Sequence, residues 1–245
     1  MRSLTDRTAL VTGGSRGIGA AIARKLAAEG ARVAITYQNS KDVAESLVAE
    51  LGGDREHMAL QADATSPDAV SAAIEKVASE FGHIDILVNN AGIWREGPFY
   101  TAPDSVFEKI VNVNVRSIFA AMKAVVPHMR KGGRIINIGS INGEQSFKSG
   151  SALYTMTKFA VAGLTRGAAR DLAERGITVN CIQPGPIDTD MNPSDADHSE
   201  AMKTATALGR YGTAEEVAEL AAFIAGSGSS YITGAMLNID GGFVA

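Results

Sequence analysis

Short, nearly continuous apolar runs alternate with longer amphipathic segments along the whole chain. The apolar runs fall at 9–12, 32–37, 57–61, 84–89, 134–138, 177–182 and 235–240. Several, such as Ile84-Asp-Ile-Leu-Val and Ile135-Ile-Asn-Ile, show no polar alternation, as expected of parallel strands covered on both faces. Helical spacing occupies 18–29, 41–51, 68–81, 103–129, 152–174 and 214–225. Strand and helix repeated in this order predict an α/β fold, a doubly wound parallel sheet of about seven strands with helices on both faces. No Pro/Gly/Ser-rich linker divides residues 1–245, so they read as one domain. The alternation breaks once, at 185–210, a polar stretch with Met191 and Met202 that separates a strand from the last helix. Loops of this length in compact domains are commonly functional, and 186–210 reads as a lid inserted in the domain.

Composition narrows the partners. The chain is 45% hydrophobic and 20% charged, as an ordinary globule is. A net charge of −4 argues against nucleic acid and membrane surfaces, which require a basic patch. No run approaches the roughly 18 consecutive apolar residues of a membrane span. The opening Met-Arg-Ser-Leu-Thr-Asp lacks an apolar signal core, so a cytoplasmic location is expected. Cys181, the only cysteine, lies in an apolar strand and reads as a small buried hydrophobe. His57, His83, His128 and His198 are scattered without ligand spacing, so no metal site is expected.

Two patterns carry chemistry. Thr12-Gly13-Gly14-Ser15-Arg16-Gly17-Ile18-Gly19 joins a strand to a helix. Glycines there let a pyrophosphate approach the backbone, and the helix start near Ile18 offers free N–H groups to it. The spacing is neither Gly-x-Gly-x-x-Gly nor a P-loop. An acid at the end of the second strand would select a free ribose 2′-hydroxyl, but Tyr37-Gln38-Asn39-Ser40 contains none. Arg16 can pair with a 2′-phosphate and Asn39 and Ser40 can donate to it, so NADP(H) is the expected cofactor.

The second pattern is Tyr154-Thr-Met-Thr-Lys158, which puts a phenol and an ammonium on one helical face. A phenol titrates near about 10. A cation within about 4–6 Å stabilises its anion and makes it a better proton donor. Tyr154 could then protonate a carbonyl oxygen as hydride reaches the carbon.

These motifs resemble the short-chain dehydrogenase/reductase family along nearly the whole chain. The cofactor loop is joined by Asn89-Asn90-Ala91-Gly92 after the fourth strand, and by Asn114 in Val-Asn-Val-Asn-Val-Arg-Ser. Ser140 follows in Ile-Asn-Ile-Gly-Ser, and Pro184-Gly185-Pro186-Ile187-Asp188-Thr189 follows the sixth strand. The resemblance implies a single-domain Rossmann-type fold and a catalytic tetrad of Asn114, Ser140, Tyr154 and Lys158. Tyr154 would be general acid, Lys158 would aid it and bind the nicotinamide ribose, and Ser140 would hold the substrate oxygen. Asn114 would join a proton relay through its helix backbone and a water. It further implies cofactor contacts from Gly13, Ser15, Arg16, Gly17, Ile18, Gly19, Tyr37, Asn39 and Ser40. Asp63 would meet the adenine amino group, Asn90 with Ala91 and Gly92 the ribose, and Pro184, Gly185, Ile187 and Thr189 the carboxamide. A homotetramer is implied as well, built through the helices at 103–129 and 152–174 and the C-terminal strand region.

The expected activity is NADPH-dependent reduction of a small-molecule ketone or aldehyde to an alcohol. Trp94, Phe147 and Met191 are candidate pocket walls, and His198 reads as a solvated loop residue. A 3-oxoacyl-acyl-carrier-protein reductase is one alternative, since Lys148 and Arg95 could form a basic rim for an acidic carrier. A nucleotide-binding regulator is the other. Ser140-Ile-Asn-Gly, the stretch 183–193 and Tyr37-Gln-Asn-Ser-Lys-Asp resemble a branch of the family associated with cyclic di-GMP and biofilm dispersal.

Overall fold

The computed structural model describes residues 4–52 and 56–245, so the first three residues of the N-terminal stretch lie outside it. Seven strands form one sheet: β1 (Thr8–Val11), β2 (Arg32–Tyr37), β3 (Met58–Gln61), β4 (Ile86–Asn89), β5 (Arg134–Ile138), β6 (Thr178–Pro184) and β7 (Met236–Ile239). Every pairing is parallel, in the order β3-β2-β1-β4-β5-β6-β7. The strand order reverses between β1 and β4, which opens a crevice at the carboxyl ends of the strands.

The unalternating strands make sense because they serve two cores. Ala9 and Val11 point into one hydrophobic cluster and Leu10 into the other; Ile86 and Val88 part from Leu87 in the same way. Successive side chains on a strand face opposite sides, so both sides must be apolar. The first core is closed by α1 (Gly17–Ala28), α2 (Lys41–Glu50) and later α8 (Ala214–Ala225). The second is closed by α3 (Pro67–Phe81), α5 (Ser117–Val125) and α6 (Ala152–Asp171). Cys181 belongs to the second core, and burial pushes its thiol up to about 11, in keeping with a packing role.

Three expected elements differ. The helix expected over 103–129 is split into α4 (Asp104–Val111), a π turn at Asn112–Arg116, and α5, which runs into a 3-10 turn at Val126–His128. This stretch is long and apolar enough to cross a membrane by length and composition, but half of it is buried in the protein. The helix expected to reach 174 ends at Asp171 and gives way to a 3-10 turn. The stretch 185–210 contains α7 (Ser199–Ala205), whose seven residues, about two turns, lack the apolar periodicity that marks longer helices.

At the amino ends of the strands, Asp85 is 1% exposed and accepts from the Thr8 N–H at 2.9 Å and from Arg130 at 3.1 Å. His83 lies at 3.0 Å and Arg7 at 3.3 Å. Burial pushes the Asp85 carboxyl up, but the Thr8 N–H and the Arg130 guanidinium outweigh it and hold the group below the usual carboxylate range. A depressed folded-state value means that the stabilisation is present above about pH 4 and is lost as pH falls through the depressed value. Removing one member of such a buried cluster strands the others, at a cost of about 3–5 kcal/mol. Urea unfolding of Asp85→Ala at neutral pH should show that loss, with a shallower decline of stability in acid than the wild type. An acid limb identical to wild type would refute the assignment.

Candidate active site

The turn between β1 and α1 is held from two sides. Gly13 and Gly17 take φ of +61° and +53°, a region in which a Cβ meets its own backbone. The Gly13 N–H donates to Thr36 Oγ1 at 3.1 Å and the Gly14 N–H to the Thr36 carbonyl at 2.9 Å. On the other side, Thr12 Oγ1 accepts from the N–H groups of Asn90 and Ala91 at 3.0 and 3.2 Å. The Asn90 amide donates back to the carbonyls of Thr12 and Gly13 at 3.0 and 2.9 Å. Gly19 is glycine for packing, since a Cβ there would collide with the Asn90 amide and the Gly13 carbonyl.

This turn opens onto a cleft of about 880 Å³ at the carboxyl edge of the sheet. Gly13, Ser15, Arg16, Gly17 and Ile18 line it from the loop, and Tyr37, Asn39 and Ser40 from the end of β2 and just beyond it. Asn90, Ala91 and Gly92 line it after β4, and Pro184, Gly185, Ile187 and Thr189 at and after β6. Gly185 must be glycine, because a Cβ would lie 2.6 Å from the Asp240 Cβ. Arg16 is 71% exposed and stands 4.0 Å from Asp190 across the mouth. No acid lines the cleft between Tyr37 and Ser40.

Asn90 reaches the cleft as expected, with its Nδ2 tied to the glycine loop. Two sequence expectations shift. Asp63 does not line the cleft, whose wall there is Ala62, Ala64 and Thr65. Its Oδ1 accepts from the Thr65 N–H at 2.8 Å and the Gln38 amide at 3.0 Å, and the Thr65 bond leads in holding the carboxyl below its ordinary value. Gly19 likewise lies behind the cleft wall.

Ser140, Tyr154 and Lys158 converge on the same cleft. The four-residue spacing on α6 sets Lys158 Nζ 5.4 Å from the centre of the Tyr154 ring. Lys158 is 6% exposed and donates to the Ile138 carbonyl at the end of β5, at 3.0 Å. Ser140, just beyond β5, caps the 3-10 turn Ile141–Gly143 by accepting from the Asn142 N–H at 3.1 Å. Asn114 sits in the π turn, behind the cleft wall. Its Oδ1 accepts from the Ile93 N–H at 2.9 Å, while its Nδ2 donates to the Ile93 carbonyl at 2.9 Å and to Thr157 Oγ1 at 3.2 Å. Extra residues of this kind in helices recur at functional sites.

The sequence reading missed Thr36 and Thr157, and gave Thr12 no role beyond opening the glycine loop. Thr157 Oγ1 donates to the Tyr154 carbonyl at 2.7 Å and so ties the π turn to α6. Hydroxyls that hold backbone in this way carry no spacing signal. Phe243 was missed as well; it packs edge-on against Phe147 at 5.0 Å and lines the cleft. Trp94 meets the Tyr154 ring edge-on at 4.6 Å, and Met191, Met202 and His198 complete that wall. His198 Nε2 donates to Asn192 Oδ1 at 3.0 Å. Lys148 stands 5.3 Å over the Trp94 ring and pairs with Glu96 at 2.8 Å. Among the described residues no cluster of His, Cys, Asp and Glu could hold a metal. A phenol beside a buried ammonium, a neighbouring hydroxyl and a phosphate seat in one cleft are suited to moving a proton onto an oxygen next to a bound nucleotide.

Residues 13–244 match the family described as enoyl-(acyl carrier protein) reductase. Over 245 residues, 100% of both chains, the protein is 41% identical to a cyclic-di-GMP-binding biofilm dispersal mediator protein of Escherichia coli K12. It is 40% identical to the 3-oxoacyl-[acyl-carrier-protein] reductase FabG of Staphylococcus aureus Mu50, covering 96% of this chain and 97% of that one. A short chain dehydrogenase from Burkholderia cenocepacia J2315, solved in complex with NADP, superposes with a TM-score of 0.97 at 47% identity, over 99% of this chain and 100% of that one.

Trp94 is the only tryptophan, which makes the Asn114 clamp on its neighbour Ile93 measurable. Asn114→Ala leaves the part-buried N–H and carbonyl of Ile93 without this partner and removes one of the two bonds of Thr157 Oγ1, an expected cost of about 1–3 kcal/mol. The Trp94 emission should shift to the red with it; an unmoved spectrum would sever the link between the π turn and the pocket wall.

Proposed function

The chain belongs to the short-chain dehydrogenase/reductase family, and from that premise we propose a catalytic assignment for its cleft. It is an NADPH-dependent oxidoreductase that acts on a carbonyl group. The observation that carries the assignment is the Lys158 ammonium, buried and held 5.4 Å from the Tyr154 ring. Negative charge that develops on the phenol oxygen is favoured there, so Tyr154 gives its proton to the substrate oxygen in reduction and takes one back in oxidation. Ser140 donates to the same oxygen and stabilises its developing charge. Asn114 ties the π turn to Ile93 and, through Thr157, to the helix that carries Tyr154 and Lys158.

The glycine turn fits a dinucleotide. Its positive-φ residues keep side chains off the phosphate seat, and the start of α1 faces the cleft. A nicotinamide held there would supply hydride to the carbonyl carbon. Gly13, Ser15, Gly17 and Ile18 form the seat, with Gly19 packed behind it; Arg16, Tyr37, Asn39 and Ser40 would surround the adenosine ribose; and Ala91, Gly92, Pro184, Gly185, Ile187 and Thr189 line the path to Tyr154. Arg16 and the absence of a carboxylate beside Asn39 and Ser40 favour the 2′-phosphate. The Burkholderia structure with NADP supports the same choice. Residues 186–210 act as a substrate lid, which Arg16 and Asp190 bridge to the glycine loop.

A small-molecule ketone or aldehyde is favoured over an acyl-carrier substrate, although FabG is a relative. The basic rim such a carrier would need is reduced by the pairing of Lys148 with Glu96, which leaves Arg95. The second reading is a regulator that binds a nucleotide such as cyclic di-GMP, favoured by the name of the E. coli relative. A cytoplasmic homotetramer is part of the first reading. Phe107, Phe119, Met156 and Phe159 expose apolar area along α4, α5 and α6, as an interface between subunits does.

Loss of NADPH absorbance over a panel of ketones and aldehydes tests the reading. Tyr154→Phe is expected to lower kcat by about 10²–10⁴-fold. Tight cyclic di-GMP binding with no turnover on any member of the panel would favour the regulator. A parallel series on Arg16→Ala should raise KM for NADPH far more than for NADH; equal changes would reject the 2′-phosphate contact.

A further inference from the structure

Asn142 lies two residues beyond Ser140 and lines the cleft. Its N–H donates to Ser140 Oγ at 3.1 Å, and the Ser140 hydroxyl points back to its Oδ1 at 3.4 Å. Its amide also donates to Thr155 Oγ1 at 3.2 Å, on the residue that follows Tyr154. The chain of hydroxyls continues from Thr155 to Ser151 Oγ at 3.4 Å and on to Ser146 Oγ at 2.8 Å. Ser151 is fully buried and donates to the Lys148 carbonyl at 2.7 Å. One side chain therefore joins the serine at the end of β5 to the helix that carries the tyrosine.

We propose that Asn142 is a positioning residue for Ser140, an inference that rests on the carbonyl-reducing reading of this cleft. The contact from the Ser140 hydroxyl to Asn142 Oδ1 is long for an O–H···O bond, so it is weak and readily exchanged for a better acceptor. The bond into Ser140 Oγ from the Asn142 N–H is the shorter of the two and remains when the hydroxyl turns. It polarises the O–H in the direction of donation, because hydrogen bonds in series strengthen one another. Asn142 thus holds the serine proton while the cleft is free of substrate and gives it up to the substrate oxygen. Its amide meanwhile keeps Thr155, and with it the first turn of α6, at a set distance from Ser140.

A double-mutant cycle separates this role from a merely structural one. Asn142→Ala is expected to lower kcat about tenfold with KM for NADPH within about twofold of wild type, a smaller loss than removal of an oxyanion donor itself. In a Ser140→Ala background the same substitution should have no further effect on kcat. An equal loss in both backgrounds overturns the proposal. A second cycle reads the network without substrate. Thermal unfolding of Asn142→Ala combined with Ser140→Ala, and with Thr155→Val, should show non-additive shifts in Tm. Additive shifts in either pair overturn the proposal even if the wild type reduces no carbonyl at all, an outcome that would itself overturn the catalytic reading of the cleft.

Discussion

A buried ammonium without a carboxylate partner sets the terms for the whole site. Taking a cation out of water costs several kcal/mol unless nearby dipoles and charges compensate. Among the described residues no acid pairs with Lys158; it has the Ile138 carbonyl at 3.0 Å and the face of Tyr154. The end of β5, the first turns of α6 and the π turn must all keep register for this arrangement to survive. A cation so placed favours any negative charge that appears beside it, which is the requirement of proton donation by a phenol.

The fold was readable because each strand is apolar on consecutive residues and each helix is apolar on one face. Leu10 and its neighbours Ala9 and Val11 face different cores, and only burial on both sides permits that sequence. Tyr154 with Lys158 was readable because a spacing of four has geometric meaning on a helix. The π turn around Asn114 was not, since an added residue per turn leaves no periodic trace in five residues. α7 was too short to show a face. Asp63 illustrates a different limit. A residue type at the right place in a motif does not say which neighbour its carboxylate will accept from, and here Thr65 and Gln38 claim one of its oxygens.

The side chains that aim the reactive groups are mostly hydroxyls and amides bonded to backbone. Thr12, Thr36, Asn90 and Thr157 each hold a segment that carries a reactive or phosphate-facing atom, and a static scaffold of this kind limits the reorganisation that charge transfer would otherwise demand. Trp94 is treated similarly: the Glu96–Lys148 pair at 2.8 Å and the Gly97 N–H bonded to the Gly150 carbonyl at 3.0 Å bind the loop after β4 to the loop after β5. An exposed ion pair of this type adds little stability. Its effect is on the shape of the pocket.

Asp85 and its arginine neighbours sit at one end of the sheet and the cleft at the other, with the length of β4 between them. At roughly 3.3 Å per residue the four residues of β4 set about 13 Å between them, and the Asp85 charge is matched on the spot by Arg7 and Arg130. The amino pole can therefore be retuned for heat or acidity while selection on substrate reshapes the carboxyl pole. Adaptation to habitat and adaptation to metabolism can proceed along separate mutational routes in the same scaffold.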